Sequence, residues 1–344
     1  MTTTSDSVRR VQTAVATGIG SVPGDDPREA ARWVADALPE LPHVPELPAR
    51  GPWASITGRA AGLLVDLPLE HELERWRTAS APGRDLRRSR SLLSEDLDAF
   101  EEVLQGFTGS VKVQVCGPVT LAATVELRGG DVLVSDPAAL ADVAASLAEG
   151  LGQHLDELAR RFAGAAIVLQ LDEPALPAAT AGAIPRPSGW GTQPPVPRDV
   201  ARSALGVVLE SAESAGASTV VHCCAGDPDW SVMGASAADA LSLDVQVLDL
   251  AAHATKLGEW VDTGRTLWAG VDAADGDAAR RRLRELRGVL GLEGERFASA
   301  VALTPRCGLP GVTVPVAAAT YAATRDLARW LQDGADGPER SREG

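Results

Sequence analysis

The stretch "STVVHCCAG", residues 218–226, sets His222, Cys223 and Cys224 side by side in a chain with only four cysteines and five histidines. Three chemistries suit these side chains: a disulfide, a metal site or a nucleophile, with plain burial as the alternative. Neighbouring cysteines bridge only with a strained backbone, and disulfides persist mainly in oxidising compartments. The opening "MTTTSDSVRRVQTAVATG" lacks a signal peptide's continuous apolar core, so reduced thiols are expected. In an extended segment His222 and Cys224 point to one side and Cys223 to the other. Cys307, in "TPRCGLPG", could supply a second sulfur, and two thiolates with one imidazole make a suitable Zn2+ set whose fourth position a carboxylate or a substrate can fill. Buried cysteines are also often inert small hydrophobes, and spacing alone leaves both readings open. Cys116, in "VQVCGP", lies far from the others in sequence and suggests no disulfide framework.

The elements that must position these residues follow a βα rhythm. Short apolar runs at 13–20, 111–117, 165–174, 218–224, 245–250, 266–272 and 297–307 read as strands, with a weaker eighth at 41–48. Helices are expected near 27–38, 197–215, 232–242, 249–260, 276–290 and 315–332. The clearest helix carries Leu140, Val143, Leu147, Leu151, Leu155, Leu158 and Phe162 every three or four residues, with Ser135 or Asp136 as cap and Pro137 in its first turn. Eight parallel strands alternating with helices predict an α/β protein, a single (β/α)8 TIM-type barrel spanning 13–332. Flexible ends are expected at 1–12 and 333–344. No Gly-rich dinucleotide fingerprint follows the first strand, which disfavours an open doubly wound sheet. Gly20, Ser21, Cys116, Asp172, Glu173, His222, Cys224, Asp249, Asp272 and Cys307 all fall at C-terminal strand ends, where a barrel of this type builds its active site.

Composition narrows the partners. Of 344 residues, 47 are acidic and 32 are Lys or Arg, a formal charge of −15, which disfavours nonspecific attraction to nucleic acid or anionic membrane. No run approaches the roughly 18 apolar residues of a membrane helix. The expectation is a soluble, cytoplasmic protein with a small-molecule partner. A long Pro/Gly loop at 181–199 carries Trp190 and is a candidate lid, while the arginine-rich run at 83–91 reads as a solvated face. The histidines at 43, 71, 154 and 253 show no partner pattern.

Five landmarks in order give the chain a wider resemblance: "GIGSVPG", "CGPVTL", "LDEPAL", "VVHCCAG" and "TPRCGLPG". Together they resemble the C-terminal catalytic barrel of the cobalamin-independent methionine synthase family. The resemblance implies zinc held by His222, Cys224 and Cys307, and a thiol substrate, homocysteine, whose zinc-bound thiolate takes a methyl group to give methionine. It also implies that Ser21 and the Gly20 backbone hold the substrate carboxylate and that Asp172, accompanied by Glu173, receives the amino group.

The resemblance has departures. The family's fourth zinc ligand is a glutamate at the end of the next strand, for which "VQVLDL" offers Asp249. A family histidine used in proton handling is replaced by the Ala and Asp of "VDAADGD", leaving Asp272 beside Asp172 as candidate catalytic acid. A further glutamate that contacts the amine is matched to Glu70 in "LPLEHELE". The family's N-terminal barrel, which helps to bind folate, has no counterpart. The methyl donor is therefore expected to be methylcobalamin or a methyl-corrinoid protein in preference to methyltetrahydrofolate. Another zinc-dependent thiol alkylation, or a non-catalytic zinc or thiol-binding barrel, is the competing reading.

Overall fold

The computed structural model describes residues 14–334. In chain order its regular elements are α1 (Pro27–Ala37), α2 (Ile56–Leu63), β1 (Leu69–Glu72), β2 (Arg75–Thr78), α3 (Arg84–Val103), β3 (Ser110–Cys116), α4 (Pro118–Thr124), β4 (Val125–Glu126) and α5 (Pro137–Arg161). There follow β5 (Ala166–Asp172), α6 (Leu176–Thr180), α7 (Arg198–Ser214), β6 (Ser218–Cys223), β7 (Ala240–Asp244), α8 (Leu250–Asp262), β8 (Thr266–Val271), α9 (Gly276–Leu290), α10 (Gly294–Ala300), β9 (Val301–Pro305) and α11 (Val314–Gln332).

Six strands form one parallel sheet in the order β3-β5-β6-β7-β8-β9, which follows the chain except that β4 belongs to a second sheet. Side chains alternate across it. Val168, Val220, Ala240, Trp268 and Ala302, with Val15 and Leu41, pack as a small apolar floor inside the curl. The opposite face joins the large core under the helices, where the predicted α5 stripe from Leu140 to Leu158 is buried. Asp136 caps α5 by accepting the Ala138 N–H at 2.9 Å, with Pro137 in the first turn as expected.

The regular sheet is an open, curled half-barrel and not the closed eight-stranded barrel expected. The segments 14–20 and 41–48 are not regular strands. Each lies along a sheet edge at one bridge with its flanking backbone hydrogen bonds: Ala16 bridges Leu303 of β9 beside bonds from Ala14 to Val301, Leu303 to Val15 and Thr17 to Leu303, His43 bridges Lys112 of β3, and Ser21 bridges Glu46. Pro42, Pro45 and Pro48 have no N–H to offer a ladder, which limits the pairing of 41–48.

A second correction concerns the strand after β6. The expected helix at 232–242 and strand at 245–250 are absent; β7 is Ala240–Asp244, buried throughout. Asp244 Oδ1 accepts the Gln246 N–H at 2.9 Å and turns the chain, and Asp249 then starts α8. The stretch 297–300, expected as strand, belongs to α10. Sequence reading also missed α3, which begins in the arginine-rich run: Leu86, Leu93, Leu97 and Phe100 are buried while Arg84, Arg87 and Arg88 face solvent.

Most of the two expected flexible ends lies outside the described residues; Asp333 and Gly334 directly follow α11. Among the described residues, no helix is long and apolar enough to cross a membrane.

Candidate metal centre

Strand alternation turns His222 into the curl and Cys223 out of it. Cys223 is fully buried in the helix-side core, where burial pushes its thiol up to about 11. Cys224, just past β6, is half-buried, and Cys307, two residues past β9, is exposed. One ligand atom from each of His222, Cys224 and Cys307 lies within 4.8 Å of the others. The two sulfurs stand 3.8 Å apart. Two thiolates bound at about 2.3 Å to a tetrahedral zinc would be about 3.8 Å apart, so the donor atoms fit that ion. Both cysteines are free thiols. His222 Nδ1 is 3.0 Å from Ser242 Oγ on β7, and a hydrogen bond donated there leaves Nε2 with its lone pair for a metal. The thiols interact strongly: hydrogen bonding with Cys224, then with His222, pulls Cys307 down to about 4. The same pairing pushes Cys224 up.

Asp172 ends β5 in register with His222. It is buried, and its Oδ1 accepts from Gln170 Nε2 at 2.7 Å. Burial pushes its carboxyl up to about 7, and His222 opposes that rise. Glu173 belongs to a different environment. Its carboxylate accepts the Val119 N–H (3.0 Å), the Thr120 N–H (2.8 Å) and the Thr120 hydroxyl (2.7 Å) at the start of α4. Its bonding is spent on holding the β3–α4 turn, although burial still pushes it up to about 7.

Gly20 has no room for a side chain: a Cβ there would lie 2.6 Å from Gln114 Cγ. Ser21 adjoins the loop after Cys307, because its carbonyl accepts the Leu309 N–H at 2.8 Å. Its hydroxyl donates to Glu46 Oε2 at 3.0 Å. Glu46, 3% exposed, also pairs with Arg59 at 3.3 Å, and Arg59 pairs with the buried Asp96.

Three expected residues are not gathered here. Glu70 lies on β1, in the separate β1-β2-β4 sheet, with Arg128 at 3.9 Å. Asp249 is exposed and caps α8, accepting the Ala251 and Ala252 N–H groups at 3.1 Å each. Asp272 is exposed and accepts the Ala274 N–H at 3.2 Å. Short acidic side chains just past a strand are well suited to cap the next turn.

Sequence reading missed Glu46, Lys112, Ser242, Asp244 and Arg306. Asp244 ends β7, one residue beyond the Cys223–Leu243 pair, and does not join the His222, Cys224 and Cys307 donor group. Its Oδ2 accepts from Arg306 Nε at 3.0 Å. The signal was available in "ALSLD", an alternating run ending in a carboxylate, but the misplaced strand hid it. The loop at 181–199 is pinned by a Pro185–Thr192 bridge and by a 2.7 Å hydrogen bond from Gln193 to Asp131, with Trp190 86% exposed.

The sequence profile described as cobalamin-independent synthase, catalytic domain, matches residues 13–329. Among solved structures, a B12-independent methionine synthase from Shewanella sp. W3-18-1 in complex with selenomethionine superposes with TM-score 0.56 at 13% identity, covering 94% of this chain and 98% of that one. A dihydropteroate synthase from Coxiella burnetii in complex with pteroic acid reaches TM-score 0.36 at 10% identity, covering 94% of each chain. The catalytic domain of an endo-β-1,4-mannanase from Bacillus sp. JAMB-750 reaches 0.42 at 10% identity, covering 97% of each. Neither of the last two resembles this chain closely enough to carry an argument. No curated protein matches it significantly. The match over nearly the whole described chain places the protein in the family of cobalamin-independent synthase catalytic domains.

Proposed function

We propose that the protein is a zinc-dependent enzyme that transfers a methyl group to the thiol of homocysteine, giving methionine. The observation that carries this reading is the 3.8 Å separation of the Cys224 and Cys307 sulfurs beside His222, in a cluster buried on one side and exposed on the other. Structural zinc sites are usually closed by four protein ligands, whereas a site that activates a thiol keeps a position that substrate can enter. Bound Zn2+ supplies Lewis acidity that lowers a substrate thiol's pKa from about 8.5, so that the nucleophilic form is available at neutral pH.

The chain's own residues do the rest. Ser242 orients the His222 ring, and Asp172, buried beside it, receives the substrate amino group. Glu46 is the second acid at this position in place of Glu70, since it lies against Ser21 and Glu70 does not. Ser21 and the Gly20 backbone, against which Gln114 packs too closely for any side chain at Gly20, receive the substrate carboxylate. Asp249, spent on capping α8, is not a ligand in this reading, and the fourth position is left to the substrate thiol.

The methyl donor is proposed to be methylcobalamin or a methyl-corrinoid protein, because a chain of net charge −15 disfavours a polyanionic folate. Methyl transfer needs the donor carbon within roughly 3–3.5 Å of the sulfur, so a poorly held donor loses most of the rate. X-ray absorption on zinc-loaded protein tests the thiol chemistry: homocysteine should add a third sulfur to the metal and release about one proton. An unchanged shell under saturating homocysteine would sink the proposal. Methionine formation from each donor then decides between corrinoid and folate.

A further inference from the structure

Lys112, one of two lysines in the chain, is completely buried on β3, inside the curl. Its Nζ donates to the Ile19 carbonyl (2.9 Å), Gln170 Oε1 (2.9 Å) and Gln114 Oε1 (3.2 Å). All three hydrogens are used, and none meets a carboxylate. An ammonium can only donate, so it draws the amide oxygen of each glutamine toward itself. Gln170 Nε2 therefore faces the other way, donating to the Ile19 carbonyl at 2.9 Å and to Asp172 Oδ1 at 2.7 Å. Turning this amide over would set its oxygen against two acceptors and its NH2 against the ammonium, so all three contacts would become repulsive. Gln114 is held the same way, its Nε2 donating to the Val44 carbonyl at 2.7 Å. Among the described residues, Gln170 is the one hydrogen-bond donor to the Asp172 carboxylate. Oδ1 is thus committed and Oδ2 is free.

We infer that Lys112 is a positioning residue for recognition of an amine-bearing thiol: through Gln170 it fixes Asp172 with one oxygen held and the other presented to the substrate ammonium. The inference rests on the proposed role of Asp172 as amine acceptor. Lys112 touches no substrate in this arrangement; its effect passes through a neutral amide whose orientation it dictates. A buried network in which every donor is used has one low-energy arrangement, and removing its only cation frees Gln170 to turn.

The test is calorimetric, on zinc-loaded protein, with three thiols: homocysteine, its analogue lacking the amino group, and its analogue lacking the carboxylate. The wild-type protein should bind homocysteine about tenfold more tightly than the des-amino analogue, the size expected of a hydrogen bond to a charged group. Lys112→Met and Gln170→Met should each weaken both amine-bearing thiols about tenfold and leave the des-amino analogue within about twofold, with zinc content unchanged. Should Lys112→Met fail to fold, Gln170→Met decides, since it breaks the same relay and keeps the lysine. Equal weakening of all three thiols in the variants, or no weakening, overturns the inference while the role of Asp172 stands. A wild-type protein that binds homocysteine no better than its des-amino analogue overturns both.

Discussion

Cys224 and Cys307 are 83 residues apart in the chain, and their sulfurs are 3.8 Å apart in space. One follows β6 and the other follows β9, so the curl of the sheet brings together two strand ends that lie three ladders apart. Cys223, the neighbour of Cys224, is excluded from the pair by strand alternation alone.

That relationship predicts unequal cysteines. Cys307→Ser and Cys224→Ser should each lower zinc affinity by at least about tenfold, as loss of a ligand requires, whereas Cys223→Ser should retain one zinc per chain. Metal analysis after dialysis against a chelator reads the difference. Tight zinc binding by Cys307→Ser would remove that residue from the ligand set.

The two aspartates near the end of β7 should separate cleanly. Asp244→Ala frees the Arg306 guanidinium, which directly precedes Cys307, and should lower zinc affinity by less than either Cys→Ser change. Asp249→Ala should leave zinc binding intact and cost about 1 kcal/mol of stability, the usual value of a lost helix cap. Chelator competition and denaturant unfolding, run on both variants, check the assignment.

Glu173 is expected to act on stability more than on substrate. Its carboxylate satisfies two backbone N–H groups and a hydroxyl in a fully buried position, and Glu173→Ala leaves those donors unpaired. A loss of about 2–4 kcal/mol follows from orphaning buried donors. Glu173→Gln keeps one acceptor and should lose less. The midpoint of chemical unfolding at constant slope gives the comparison.

His154 predicts an acid-side effect. Burial pushes it down to about 4, so the folded protein keeps it neutral where the unfolded chain, with its histidine near 6.5, binds a proton. Between those values the unfolded state holds the extra proton, and stability falls as pH falls, by about 1.4 kcal/mol per pH unit for this one group. Below about 4 the contribution levels off. His154→Leu should flatten the fall between pH 6.5 and 4 relative to wild type, measured by urea unfolding across that range; an unchanged slope would mean that His154 is already charged in the folded state.

The sequence by itself determined the local chemistry and most of the elements. The two-residue offset of His222 and Cys224 decides that they share a face, since alternation is a property of any strand. The long apolar stripe and its aspartate cap specify α5 without help from the rest of the chain, because helix spacing and capping are local. The arrival of Cys307, the engagement of Glu46 with Ser21 and the pairing of His43 with Tyr321 at 2.9 Å across 278 residues depend on how the sheet curls. No spacing rule reaches that far.

Tertiary structure also decided which carboxylate does what. Asp172 and Glu173 are neighbours in a single strand end, yet one lies in register with His222 and the other is consumed by the start of α4. Asp244 was hidden because "ALSLDVQVLDL" fits a strand in either half, and only the partners, β6 on one side and β8 on the other, select the first. The closed barrel expected from counting apolar runs gave way to an open sheet whose edges carry 14–20 and 41–48 as irregular segments, and in the weaker of these, 41–48, three prolines remove donors that a ladder needs.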